Sequence, residues 1–203
     1  MESGSKMQLY ARNPWHFVKH GYKAPDLINA VIEIPKGSKA KYELDKESGL
    51  LKLDRVLFSA VHYPANYGFI PQTYCEDHDP LDILVYSSIE AEPLCLIEAK
   101  VIGVMNMLDK GERDDKIIAV CNTDVSVQHI NDLKEMPPYA MEEIVRFFED
   151  YKKLEKKEVT VSGIKGKDDA IKIIKEAIDL YKKTFANEEV GIFSPHLPQT
   201  VKK

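Results

Sequence analysis

The seven residues Glu76-Asp77-His78-Asp79-Pro80-Leu81-Asp82 constrain this chain more than any other stretch. Asp77, Asp79 and Asp82 fall within six residues, and the apolar run Ile83-Leu84-Val85 follows at once. Like charges this dense repel one another at the very point where the chain enters a buried strand. Two readings of the cluster alone stay open. It is a solvated acidic turn, or it is an oxygen-only ligand set whose repulsion is removed by a hard divalent cation such as Mg²⁺, Mn²⁺ or Ca²⁺. What the rest of the chain places around it decides between them.

A chain of 203 residues suffices for one sizeable core, and 44% hydrophobic with 30% charged residues describes a globular rather than a disordered protein. The expectation is a single domain over 1–203, with its core at about 13–185, an N-terminal arm at 1–12 and a mobile tail at 187–203. No apolar run reaches the length of a membrane span, and the first residues lack the layout of a secretory signal. Cys75, Cys95 and Cys121 are odd in number, widely spaced and without a C-x-x-C pair, which suits reduced thiols in a cytoplasm. A net charge of −5 gives no general attraction for nucleic acid or anionic lipid. An anionic ligand therefore has to be held by local cations or by bound metal.

Along the chain, Trp15 is the only tryptophan and reads as the anchor of the N-terminal arm. His16 and His20 have a helical metal-binding spacing, but Pro14 argues against a helix there. A strand is expected at 30–34, with Ala30, Ile32 and Ile34 on one face and Val31 and Glu33 on the other. A hairpin follows: 41–44, a turn through Asp45–Gly49, then 50–58. Lys41 and Glu43 share a face, and Arg55 is in phase with Leu51, Leu53 and Leu57. A guanidinium in that phase needs a partner, either a structural ion pair or an anion in a cavity. Tyr67 lies in a Tyr- and Pro-rich stretch at 61–71, where its phenol packs or bonds a ligand.

Three more strands are expected at 83–86, 96–107 and 116–121. The connection at 108–115 carries a second acidic group, Asp109, Glu112, Asp114 and Asp115, and leads into Lys116. Pro137-Pro138 opens a helix to about residue 156, on which Met141, Val145, Phe148 and Lys152 follow one stripe with Tyr151 beside it. Lys152 either snorkels to solvent or points with Tyr151 into a site. A short strand at 159–161, a Gly163–Gly166 link and a second helix at about 168–185 complete the pattern. Strands first and helices later read as an α+β fold on a small closed barrel.

Asp77, Asp79, Asp82, Asp109 and Asp114 thus supply oxygen ligands, while Lys41, Arg55, Lys116 and Lys152 supply cations. Tyr67 and Tyr151 add hydroxyl donors. Carboxylates with metal, opposed by Arg and Lys, suit a multiply charged phosphate ester or anhydride. An EF-hand starting at Asp77 fails, because Asp82 and Ser88 stand where it needs Gly and Glu. A D-x-D-x-[TV] aspartyl nucleophile fails at Leu81. No P-loop, G-x-G-x-x-G or G-x-S-x-G is present. The rivals are a metal-dependent phosphoesterase, which would need a base pocket, and a nucleic-acid-binding barrel, which would need a basic aromatic groove.

Asp77-His78-Asp79-Pro80-Leu81-Asp82 resembles the D-x-D-P-x-D motif of the soluble family I inorganic pyrophosphatases. The resemblance extends through Val31–Pro35, Lys41-Tyr42-Glu43, Asp45-Lys46, Ser48-Gly49, Asp54-Arg55, Tyr63-Pro64, Asn66-Tyr67-Gly68, Phe147-Phe148-Glu149 and Tyr151-Lys152, in unbroken order over about 13–185. Asn13–His16 and Lys36–Lys39 resemble the plant-type branch. The resemblance implies a closed five-stranded, OB-like barrel flanked by two C-terminal helices. It also implies an enzyme that uses several Mg²⁺ ions to hydrolyse pyrophosphate to two phosphates; a cytoplasmic homo-oligomer with no nucleic-acid or membrane partner is the accompanying expectation. By position, Asp77, Asp82 and Asp114 resemble ligands of the tightly held metals, and Asp109 the ligand of a further one. Asp79 resembles the general base for the attacking water. Lys41, Arg55, Tyr67, Tyr151 and Lys152 resemble substrate-phosphate ligands, and Glu33, Glu43 and Lys116 resemble supporting groups. Two departures stand out: Lys110 replaces an acid common in bacterial members, and Lys156 and Lys157 compete for one family lysine.

Overall fold

The apolar run behind Asp82 becomes one of the most deeply buried strands of the molecule. The computed structural model describes residues 13–185; the expectations for the first residues and the tail fall outside that range. Its strands are β1 (Leu27–Ile34), β2 (Ala40–Leu44), β3 (Leu51–Val56), β4 (Asn66–Phe69), β5 (Asp82–Tyr86), β6 (Leu96–Asp109), β7 (Glu112–Arg113), β8 (Lys116–Cys121) and β9 (Val159–Gly166). Its helices are α1 (Pro14–Phe17), α2 (Pro138–Asp150) and α3 (Lys167–Phe185).

Strand β1 pairs with β4, β4 with β5, β5 with β8, β8 with β6, and β6 with β1 again. These pairings close a ring of five strands, as the barrel expectation requires. Strands β7 and β9 extend from β6, and β2–β3 forms a separate hairpin. The β5–β8 pair is parallel, while the other ring pairs are antiparallel. Ile83, Leu84 and Val85 of β5 are all buried, as is every residue of β8, so both strands read as continuous apolar runs rather than alternating ones. Gly68 is required where β4 crosses β1: a Cβ there would lie 1.9 Å from the Val31 carbonyl oxygen.

The two long helices cover opposite faces of the strands. On one side Ala170, Ile174, Ala177 and Ile178 of α3 pack with Ile32, Ile83, Val85 and Ile117. On the other, Ile144, Phe147 and Phe148 of α2 pack with Tyr63, Tyr67, Met105 and Ile118. Trp15 anchors α1 as expected; it is buried, and its indole N–H donates to the Thr73 carbonyl at 2.8 Å.

The structure corrects several local expectations. Pro14 does not prevent a helix at His16. It sits at the N1 position of the single turn α1, where a missing N–H costs nothing, and Asn13 caps that turn. His16 pairs there with the Tyr181 hydroxyl at 2.7 Å, and His20 lies beyond the helix. In the β2–β3 hairpin a register shift between Lys41 and Tyr42 turns Leu53 outward, so Arg55 does not share a buried face with it. Helix α2 ends at Asp150 rather than near 156. Its buried stripe is Ile144, Phe147, Phe148 and Tyr151, and Met141 and Val145 are only partly covered. Gly163–Gly166 is no link but the second half of β9, which runs antiparallel along β6.

Candidate active site

Strand register creates the centre of the site. In the parallel β5–β8 pair Asp82 lies directly opposite Lys116, so one acid and one base meet at the mouth of the two buried strands. Lys116 is buried and pairs with both Asp82 and Asp114. Burial opposes its charge, but the two carboxylates overcome it and hold the ammonium above the usual lysine range. The Tyr67 hydroxyl, brought in by β4, donates to Asp82 Oδ2 at 2.6 Å. The aromatic stack Tyr63–Phe147–Tyr151, with ring centroids 4.6 and 5.3 Å apart, then fixes the two phenols between α2 and the sheet.

Three further segments surround this centre. The β6–β7 hairpin turns through Lys110 and Gly111, both at positive φ, and sets Asp109 and Asp114 on its flanks. Lys152, just past the end of α2, reaches Asp109 Oδ2 at 2.5 Å, and Asp109 Oδ1 is buried without a partner. The β2–β3 hairpin supplies Lys41 and Arg55. Lys41 pairs with Glu43 and lies 3.4 Å from Asp54, while Arg55 pairs with Asp54 and with Glu155 at 2.7 Å. One guanidinium nitrogen of Arg55, Nη2, is buried and unpaired. The acidic loop completes the wall: His78 takes a left-handed φ of 68°, and the Asp79 amide donates to Asp77 Oδ1 at 3.1 Å.

Every candidate side chain lines one cleft of about 470 Å³: Glu33, Lys41, Glu43, Arg55, Tyr67, Asp77, Asp79, Asp82, Asp109, Asp114, Lys116, Tyr151 and Lys152. Its charges are interleaved, and most acids already hold an ammonium. Asp77 is the exception among the five aspartates, with no cation in salt-bridge contact among the described residues. Burial, with Asp82, Asp79 and Asp114 adding to it against the Asp79 amide bond, pushes its carboxyl up to about 6. Glu33 is pushed up to about 8 by burial and then by Asp82, although the Leu44 amide donates to it at 2.7 Å. Burial likewise raises Asp114 despite Lys116, and lowers Lys152 despite Asp109.

The chemistry of this donor set fits hard divalent cations, which need charged oxygens and no sulfur or nitrogen. The unpartnered Asp109 Oδ1 and the cation-free Asp77 carboxylate are donors in want of positive charge. Among the described residues, no three His, Cys, Asp or Glu side chains converge on a single point. Lys116 stands between Asp82 and Asp114.

Lys46, Asp54 and Glu155 carry contacts that the sequence reading did not assign. Asp54 and Glu155 hold Arg55, and Lys46 pairs with Asp79. Asp54 stands beside the assigned Arg55, whereas for Lys46 and Glu155 only the fold shows the partner. Lys157 joins the network through Glu155 Oε2 at 2.9 Å, whereas Lys156 closes the 3-10 turn after α2 in a left-handed conformation.

Comparison with known proteins matches the geometry. The family model for inorganic pyrophosphatase matches residues 30–182. A soluble inorganic pyrophosphatase of Oryza sativa subsp. indica is 56% identical over 179 residues, covering 88% of this chain and 84% of the relative. Soluble inorganic pyrophosphatase 1 of Arabidopsis thaliana is 53% identical over 171 residues, covering 84% and 81%. The crystal structure of inorganic pyrophosphatase from Thermus thermophilus superposes with a TM-score of 0.79 at 42% identity, over 81% of this chain and 97% of that one. By sequence and by fold, this chain belongs to the inorganic pyrophosphatase family.

Proposed function

We propose that the chain is an Mg²⁺-dependent inorganic diphosphatase, in which a water attacks pyrophosphate directly and Asp79 is the general base. One observation carries this reading: a single cleft interleaves Asp77, Asp79, Asp82, Asp109 and Asp114 with Lys41, Arg55, Lys116 and Lys152. Acids alone would bind cations and bases alone would bind anions. The mixture suits a polyanion that arrives with its cations.

Asp77, Asp82 and Asp114 would hold the tighter ions, and Asp109 a further one. Mg²⁺ bound there would neutralise the substrate and acidify a water. Around it the chain's own groups divide the work. Asp79 takes a proton from the attacking water as the new P–O bond forms and the bridging P–O bond breaks. Arg55 and Lys41 bind oxygens of the departing phosphate, where charge builds up. The guanidinium nitrogen Nη2 of Arg55, buried and unpaired, has its donors to offer. Tyr67 and Tyr151 give hydroxyl contacts, and Lys152, which holds Asp109 in this structure, would contact a phosphate oxygen of the substrate. Lys116 pairs with both Asp82 and Asp114 and offsets the repulsion between them. Glu33 and Glu43 support the wall that carries Lys41.

The same reading includes a homo-oligomer in a cytoplasm. Free thiols at Cys75, Cys95 and Cys121 suit a reducing compartment, and among the described residues no helix is long and apolar enough to cross a membrane. Phosphate release from pyrophosphate, measured in Mg²⁺ beside a nucleoside triphosphate, tests the substrate class. Release from pyrophosphate alone is expected. Equal release from the nucleotide would replace the reading with a general phosphoesterase.

A further inference from the structure

Lys46 has no role in the chemistry described so far, yet three segments of the chain converge on it. It stands on the turn between β2 and β3, which is held by the Asp45 carboxylate accepting from the Ser48 amide at 2.9 Å. Its ammonium pairs with Asp79 Oδ1 and donates to the His78 carbonyl at 3.0 Å. It also lies 5.5 Å from the centre of the Trp15 ring. The Asn13 side-chain amide donates to the Lys46 carbonyl at 2.8 Å, so α1 and its cap touch both ends of this residue.

We propose that Lys46 is a positioning residue for Asp79: by engaging Oδ1 it turns Oδ2 toward the attacking water, and α1 sets where the ammonium stands. This rests on the reading of Asp79 as the general base. An exposed ion pair contributes little to stability, and the Lys46 side chain is 48% exposed. Its value is therefore directional. Asp79 sits on a loop beside a left-handed His78, its own side chain is 55% exposed, and among the described residues its Oδ2 makes no hydrogen bond. Among the described residues, Lys46 is the charged partner recorded for the Asp79 carboxylate, and it selects one rotamer. The Trp15 ring stands 5.5 Å from the ammonium, and Trp15 is itself fixed by Thr73, ahead of the acidic loop. Helix α1, turn and acidic loop are thereby registered at one nitrogen atom.

The test compares Lys46→Met and Lys46→Arg with the unaltered protein. Lys46→Met is expected to lower kcat for pyrophosphate about tenfold, with KM within about twofold, as for loss of a group that orients a catalytic side chain. Lys46→Arg should restore most of that loss. Calorimetric titration with Mg²⁺ in the absence of substrate should show binding no weaker in Lys46→Met than in the parent, since an ammonium has been removed from an acidic cleft. In the Asp79→Asn background, Lys46→Met should cost nothing further. An unchanged kcat in Lys46→Met overturns the proposal, as does a full further tenfold loss in the double variant. Weakened Mg²⁺ binding would also overturn it, by assigning Lys46 to the stability of the cleft. Parent-like turnover in Asp79→Asn alone would instead remove the base reading itself, whatever Lys46 does.

Discussion

The acidic loop at 75–82 has two sides, and they could hardly differ more. Its front faces the charged cleft of about 470 Å³. Its back faces a smaller cavity of about 110 Å³, roofed by Ile173, Ala177 and Leu180 of α3 and edged by Tyr74 and Cys75. Asp77, Pro80, Asp82 and Asp114 belong to both walls. The back is tied to the helix through the backbone, with the Tyr74 amide donating to the Ala177 carbonyl at 3.0 Å. Burial there pushes the Cys75 thiol well above its ordinary range. The back carries acids of its own, Glu76, Asp115 and Glu176, but among its lining residues Arg113 is the one cation, and it is taken by Asp115 at 2.5 Å. The loop can then present its charge to the front while its backbone is fixed from behind. Chemistry and anchorage are divided between the two faces of one short segment.

Substitutions on the two faces should separate accordingly. On the front, Asp79→Asn should lower turnover by about 10²–10⁴-fold as loss of a general base, with Mg²⁺ binding retained in calorimetry. On the helix that roofs the back, Ile174→Ala should cost about 2–5 kcal/mol of stability in denaturant unfolding, since this side chain is fully buried in the core between α3 and the sheet. Its kcat at a temperature where the protein is folded should stay near that of the parent. A collapse of kcat in Ile174→Ala would break the division. Arg55→Ala, on the front, should raise KM for pyrophosphate about tenfold. If Arg55 were purely structural, steady-state kinetics would be unchanged and only the melting temperature would fall.

The smallest expected effect is a pH dependence that also reads the front. Glu33 is pushed up to about 8 in the fold, from an ordinary 4.5. Between those values the folded state binds a proton that the unfolded chain gives up. The contribution of Glu33 to stability is therefore largest below about 4.5 and is lost as pH rises toward 8. In chelator, the melting temperature of Glu33→Gln should fall less between pH 5 and pH 8 than that of the parent, by roughly a few degrees. Parallel curves would show that Glu33 does not carry this load.

The front was far more legible in the sequence than its support. Carboxylates and cations announce themselves by type, and the runs Ile83-Leu84-Val85 and Lys116–Cys121 are apolar enough to mark buried strands without any pattern of alternation. The β2–β3 register was not legible: one shift at Lys41 and Tyr42 sends Leu53 outward, and no local residue signals that irregularity. Gly163–Gly166 reads as a break because Gly has no side chain to pack, yet pairing with β6 supplies the hydrogen bonds that make it a strand. Lys152 follows an apolar spacing on a helix that in fact stops two residues earlier, and its ammonium turns to Asp109. The Lys46–Asp79 pair spans two loops far apart in sequence, and no local pattern at either residue signals it.

The central claim is that the interleaved front of the loop is built for a polyanion with its cations. Phosphate release from pyrophosphate by metal-free protein, followed as Mg²⁺ is added back after chelation, tests it most directly. Release is predicted to be absent in chelator and to rise with Mg²⁺ to a plateau. Hydrolysis that proceeds at the full rate in chelator, or none at any Mg²⁺ concentration, would contradict it.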